Sequence, residues 1–374
     1  MKIGILTLYY KNHNFGGQLQ AYALCRYFNR LEDINCEQIA YDYKRKEEKS
    51  IKRLIFSMYS YVFHPKVMIG LKKRKRKFET FEKAIPHSAV VSSSEGLTRV
   101  VEKYDYVFTG SDQVWNPEYA GGVFYLNTVP ESKRCAYAAS FGKDCLDEDV
   151  LTDEILHTLK NYKFMTVREI TAKRILEQRG IEDVDVVCDP TFLIEKEEWE
   201  NQITQINRIV QGKYVFVYLL GNSKSLRDDI KKKFGCMNLK IVSIPHIHFS
   251  YQKRDKGFAD IEAYNVGPLE FLRLIYDAEI VVTDSFHCTL FSILFNKNFW
   301  TLSRNGTYDR GSTNGRIYTL LEKTGMMDRY AGTVSKIRVT DKYSHDNSAS
   351  AIVEFSIYSK KLLADFLLKS RMNG

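Results

Sequence analysis

Four stretches of this chain have the residue types and placement for chemistry on an anion. The first contains His287, in Glu279-Ile-Val-Val-Thr-Asp-Ser-Phe-His287-Cys-Thr-Leu-Phe-Ser-Ile293. Ile280, Val281 and Val282 form the short apolar run expected of a parallel strand covered on both faces. Thr283, Asp284 and Ser285 break it before apolar spacing resumes at Leu290, Phe291 and Ile293. A histidine beside a helix N-terminus, just past the carboxyl end of a strand, stands where open α/β sheets hold ligands and where free amides attract anions. The competing reading is a histidine that only caps the helix or packs in the core.

The second is Asn12-His-Asn-Phe-Gly-Gly-Gln-Leu-Gln-Ala21, where Gly16 and Gly17 permit tight turning and close backbone approach. It lacks both the G-x-G-x-x-G spacing and a P-loop lysine, so a plain tight turn fits it equally well. Gly110-Ser-Asp-Gln-Val-Trp-Asn116 carries more polar groups than a turn needs, with Asx-type turn chemistry as the alternative. The last group is cationic. Arg168 follows the apolar run Phe164–Val167, and Lys297, Arg304, Arg310 and Arg316 lie amid Gly306, Gly311 and Gly315. Guanidinium forks suit carboxylates and phosphates. Pairing with Glu169 is the ordinary alternative for Arg168, and a solvated loop is the alternative to a mobile anion-binding loop for the others.

Strands alternating with helical patterns must position these groups. Lys2–Tyr9 reads as a strand, Leu19–Leu31 as an amphipathic helix, and the region near Gln38–Tyr43 as a strand. Further strands are expected over Tyr104–Thr109, Arg134–Ser140, Phe164–Val167 and Val184–Cys188, with a helix over Ile170–Arg179 closed by Gly180. A second alternation has strands at Tyr214–Leu220 and Leu239–Ile244 and helices at Ser223–Phe234 and Pro268–Tyr276. This pattern predicts α/β architecture: two Rossmann-like domains facing a cleft, over residues 1–195 and 213–345, with a hinge near 195–212. An amphipathic helix, Ile352–Lys369, lies in the closing segment 346–374 and could pack on either domain.

A chain of 374 residues with 44% hydrophobic and 27% charged residues fits a globular protein of two domains. Seven scattered cysteines without a C-x-x-C pair suit reduced thiols in the cytosol. The start of the chain lacks the marks of a signal peptide, and no run of about 18 apolar residues predicts a membrane span. The net charge of +9 is uneven, because residues 44–77 hold thirteen Lys or Arg against Glu47 and Glu48. With Leu54–Phe63 and Lys72–Lys77, this segment suits an anionic membrane surface, with nucleic acid as a less favoured partner and a solvated insertion as the plain alternative. His246-Ile-His248 lacks a third metal ligand with sensible spacing, and Asp183-Val-Asp185 reads as strand alternation, so no metal is expected.

In order, Asn14-Phe-Gly-Gly-Gln-Leu-Gln-Ala-Tyr-Ala-Leu24, Gly110-Ser-Asp-Gln-Val-Trp-Asn116, Tyr137-Ala-Ala-Ser-Phe-Gly142, Val167-Arg-Glu169, Asp189-Pro-Thr191, Thr283-Asp-Ser-Phe-His287 and Asn314-Gly-Arg-Ile317 resemble the polysaccharide pyruvyl transferase family. The resemblance covers most of residues 1–330 and leaves out 44–77. It implies a fold like the GT-B glycosyltransferases. It also implies transfer of pyruvyl from phosphoenolpyruvate onto a sugar as a ketal, without a cofactor, in making bacterial capsule or exopolysaccharide. On that footing His287 is the general acid/base, histidine being the residue type that titrates near neutrality. Asp112 or Asp284 would orient it or accept the sugar hydroxyl proton. Arg168, Arg304, Arg316, Ser285, Gly16 and Gly17 would hold phosphoenolpyruvate, and Asn14, Gln18, Ser111, Gln113 and Trp115 the acceptor. Many members carry Arg-Leu-His where this chain has Ser285-Phe286-His287, so Arg304 or Arg316 would have to replace the missing arginine. The expected acceptor is lipid-linked, which would place a cytoplasmic enzyme at the inner membrane face. The alternatives are a nucleotide-sugar glycosyltransferase and a non-catalytic glycan-binding protein.

Overall fold

The computed structural model describes residues 1–43, 63–118, 122–147, 149–237, 239–245, 257–304, 314–339 and 346–372. The first sheet contains β1 (Lys2–Leu6), β2 (Asn35–Gln38), β3 (Tyr106–Thr109), β4 (Arg134–Ala139), β5 (Phe164–Val167) and β6 (Asp185–Val186), in the order β2-β1-β3-β4-β5-β6. The second contains β7 (Tyr214–Tyr218), β8 (Lys240–Ser243), β9 (Ile261–Glu262), β10 (Ile280–Thr283), β11 (Phe299–Leu302) and β12 (Tyr330–Gly332), in the order β12-β11-β10-β7-β8-β9. Every pairing between these strands is parallel. Parallel strands need helical crossovers on both faces, which is why β7, β10 and β11 are mostly apolar and are buried throughout. Strand order reverses between β1 and β3 in the first sheet and between β10 and β7 in the second. Those two switch points are where such sheets leave room for ligands.

The connecting helices are α1 (Phe15–Phe28), α2 (Pro65–Lys83), α3 (Ser94–Val101), α4 (Asp153–Lys160), α5 (Ile170–Glu177), α6 (Lys196–Thr204), α7 (Lys224–Gly235), α8 (Pro268–Asp277), α9 (Phe286–Leu294), α10 (Gly315–Lys323) and α11 (Asp346–Met372). One apolar core joins the domains. Phe15 of α1 stacks on Phe271 of α8, with centroids 4.7 Å apart and planes 12° apart, and meets Tyr218 edge-on. The expected hinge region contains α6, whose Trp199 is fully buried between Tyr22 of the first domain and Phe291 of the second. Helix α11 returns to the first domain. Ser359 Oγ accepts the Cys188 amide at 2.9 Å, and Phe366 stacks on Phe164.

Three expectations change. The strand expected near Gln38–Tyr43 lies at Asn35–Gln38, because β1 takes its partners in the register Lys2↔Asn35 to Ile5↔Gln38 and ends there. The run Lys72–Lys77 is not uniformly solvated: it lies in α2, and Arg74 is fully buried, donating to the carbonyls of Pro245 and Ala263 at 3.3 and 2.9 Å. Lys77 pairs with Glu270 at 2.7 Å, so part of this basic run docks α2 onto the second domain. The cationic stretch after His287 is not one loop either, since β11 and α10 occupy its two ends. Arg310, His246, His248 and Leu54–Tyr61 lie outside the described residues.

Candidate functional site

The loops after β1, β3, β7 and β10 converge where the switch points face each other. Ser285 caps α9 by accepting the Cys288 amide at 3.4 Å, which places His287 in the first turn. The imidazole then lies against α1. A Cβ placed on Gly16 would come within 1.9 Å of His287 Nδ1, so only glycine leaves room for the ring there. The other nitrogen, Nε2, is buried and has no hydrogen bond among the described residues; it faces Asp189 Oδ2 at 3.5 Å.

Asp189 is the centre of a buried charge network. Its Oδ1 accepts from the Thr191 amide and hydroxyl at 3.1 and 2.9 Å, and its Oδ2 accepts Arg168 Nη1 at 2.9 Å. Ser111 Oγ donates to Ala138 O at 2.9 Å and stands 3.4 Å from the same carboxylate oxygen. Arg168 Nη2 reaches Asp112 Oδ1 at 3.4 Å, and its Nε lies 3.8 Å from Glu169 Oε2. Asp112 has a left-handed backbone, φ 72°, a conformation aspartate tolerates better than most residues. Phe286 lies 4.4 Å beneath the guanidinium, so the second of the two residues that depart from Arg-Leu-His packs against Arg168.

Burial and charge act against each other here. Burial alone would raise the Asp189 carboxyl, but His287, Arg168 and the Thr191 amide together hold it well below the usual carboxylate range. Burial would lower Arg168, and Asp112, Asp189 and Glu169 outweigh it and raise the guanidinium instead. Glu169 goes the other way: burial raises its carboxyl despite Arg168, Arg316 and the hydroxyl of Ser140, which donates at 2.6 Å. Its Oε2 has no hydrogen bond among the described residues.

Not every expected site residue joins this cluster. Asp284 accepts the Leu220 and Gly221 amides at 2.7 and 2.8 Å, which ties the β7 and β10 loops together and leaves it a structural clamp. Arg304 Nη2 donates to Asp284 O at 3.1 Å, bringing a half-buried guanidinium to the backbone beside Ser285. Arg316 is buried in the first turn of α10 and acts electrostatically on Glu169. Asn14 is the N-cap of α1, accepting the Gly17 amide at 3.1 Å, so that amide is already satisfied within the fold. Gln18 bonds Glu82 at 3.3 Å, and Gln113 accepts from Asn116 at 3.0 Å. Trp115 is fully buried and stacked on Tyr125, a core residue rather than a surface for a sugar. Lys297 donates to the Tyr276 carbonyl at the end of α8.

Sequence reasoning over the site missed Asp189 and Glu169. Both stand in the resemblance motifs Asp189-Pro-Thr191 and Val167-Arg-Glu169, but Asp189 was given no role there and Glu169 only that of a counter-ion for its neighbour. A groove of about 750 Å³ lined by Tyr22, Arg26, Arg30, Glu198 and Gln202 lies on the hinge side and includes none of these groups.

Two Rossmann-like domains with facing switch points define the GT-B type of fold. UDP-GlcNAc 2-epimerase from Methanocaldococcus jannaschii is similar in fold, with a TM-score of 0.53 at 16% identity over 96% of this chain and 100% of that one. The Neisseria meningitidis enzyme bound to UDP-GlcNAc gives a TM-score of 0.52 at 13% identity, covering 96% and 100%. UDP-N-acetylglucosamine 2-epimerase from Rickettsia bellii gives 0.51 at 11%, covering 98% and 96%. No curated protein matches the chain. The family model for polysaccharide pyruvyl transferase matches residues 14–306, and the chain belongs to that family.

Proposed function

We propose that the protein transfers pyruvyl from phosphoenolpyruvate to two hydroxyls of a sugar, forming a ketal in the assembly of a bacterial cell-surface polysaccharide. The observation carrying this reading is His287, buried between the two switch points with Nε2 3.5 Å from the Asp189 carboxylate, in a chain of this family. His287 gives a proton to the methylene carbon of the donor, and the first sugar hydroxyl attacks the adjacent carbon while its proton returns to Nε2. Phosphate then leaves with the proton of the second hydroxyl, whose oxygen closes the ketal. Asp189 orients the imidazole from one side and Gly16 admits it from the other.

Arg168 is committed to Asp189 and Asp112, so it positions carboxylates and is not the principal anion clamp. Arg304 and Arg316 are the donor cations in this reading, and Arg304 stands in for the arginine missing at Ser285. A lipid-linked acceptor would bring the outer face of α2, where Lys66, Lys72, Lys73 and Arg76 are exposed, to an anionic membrane. No helix among the described residues is long and apolar enough to cross a membrane.

The test is thermal unfolding with phosphoenolpyruvate, phosphate or a panel of nucleotide sugars, followed by phosphate release in the presence of sugar acceptors. A ligand at about 100 times its Kd stabilises by about 2.7 kcal/mol. Stabilisation by phosphoenolpyruvate that Arg304→Gln abolishes supports the assignment. A response to nucleotide sugars alone moves it to glycosyl transfer.

A further inference from the structure

Helix α11 is apolar on two faces. One face packs on the body of the protein through Phe355, Ser356, Ser359, Leu363 and Leu367, which are buried. The other leaves Val353 54% exposed, Ile357 59%, Leu368 58% and Met372 86%. Spacings of about four residues between Val353 and Ile357, and between Leu368 and Met372, keep them in one stripe along the helix. Neighbouring polar side chains have places of their own: Lys360 bonds Glu195, Tyr358 donates to Asp185, and Arg371 donates to Glu32 O. Between the two apolar pairs the same face carries Lys361 and Asp365, and Glu354 and Lys369 lie toward its ends, all exposed.

These residues are arranged with mirror order. Ile357 and Leu368, Lys361 and Asp365, and Glu354 and Lys369 are each disposed about a point near residue 362. An antiparallel copy of the same helix, related by a two-fold axis at that point, therefore sets Ile357 against Leu368, Lys361 against Asp365 and Glu354 against Lys369, each twice. Ala364 lies near the axis and is small enough for close approach of the two backbones. A lipid surface accounts less well for this face, because two acids border the stripe.

We propose that the outer face of α11 is the dimer interface of this protein, its partner being α11 of a second copy in antiparallel orientation. Such a contact is isologous, the form a two-fold dimer requires. It is independent of the reaction assigned above.

The experiment is sedimentation equilibrium of the full chain over a range of concentrations. Wild type is expected to dimerise, and Ile357→Glu combined with Leu368→Glu to be monomeric while still unfolding in one cooperative transition, at a melting temperature that no longer rises with protein concentration. Glu354→Lys and Lys369→Glu should each raise the dimer dissociation constant by about tenfold or more, and the two changes together should restore it. A monomeric wild type, a dimer indifferent to the Ile357/Leu368 change, or a double reversal that fails to restore dimerisation would each overturn the proposal.

Discussion

His287, Gly16 and Asp189 act as one unit, because the ring is wedged between a glycine that cannot be enlarged and a carboxylate that cannot move. Gly16→Ala displaces the imidazole from a Cβ position 1.9 Å away. An activity loss on the order of 10²-fold is expected, in phosphate release from phosphoenolpyruvate, together with an overpacking cost of about 1–3 kcal/mol in stability. Asp189 carries a pH signature. Its carboxyl is depressed in the folded state, so its contribution to stability is present above the ordinary carboxylate pKa. That contribution is lost as pH falls below about 4 and onward toward the folded-state value. Asp189→Asn should flatten the acid limb of the stability profile; a steep limb in that variant would assign acid sensitivity elsewhere.

Glu169 has the opposite sign. Its carboxyl is raised by burial, so ionising it as pH rises costs the folded state stability. Glu169→Gln keeps an acceptor for Ser140 and removes that cost. The variant should match wild type near pH 4 and exceed it at pH 7 in chemical denaturation. Equal stability near pH 4 with lower stability at pH 7 would show instead that the charge itself holds Arg168 in place.

At the level of elements, α2 separates a docking face from an exposed basic face. Arg74 donates to two carbonyls of the second domain from a fully buried position. Arg74→Ala strands those acceptors and should cost about 2–3 kcal/mol. Lys72→Ser, Lys73→Ser and Arg76→Ser touch only the exposed face, so melting should hardly change. Binding to anionic vesicles should weaken by about fivefold per cation removed, and high salt should do the same to wild type. Unaltered, salt-insensitive binding would remove α2 from the membrane reading.

At the scale of the molecule, the aromatic seam around Phe15, Phe271 and Tyr218 makes the two sheets one folding unit. A single cooperative thermal transition is expected. Phe271→Ala should shift that transition as a whole, at a cost of about 3–5 kcal/mol. Two resolved transitions would mean that the domains unfold independently despite this contact. The far side of the cleft is held by polar contacts instead: Gly315 N donates to Asp144 Oδ1 at 2.8 Å and Ile170 N to Thr319 Oγ1 at 3.1 Å. These contacts can open at lower cost than the aromatic seam.

The alternation of strands and helices was legible in the sequence because each parallel strand must be apolar on both faces and each crossover helix on one. The strand at Phe164–Val167 and the helix beginning at Pro268 fall where their periodicity places them. The turn before α9 was equally readable, since Ser285 and the break in apolar spacing are local signals. What tertiary structure decided is the partner of each polar group. Local sequence could not show that Asp284 clamps two amides, that Trp115 is core, or that Asp189, about a hundred residues before His287, is the acid facing it. Those outcomes depend on strand order and on the approach of one domain to the other, and both are set by long-range burial rather than by neighbours along the chain.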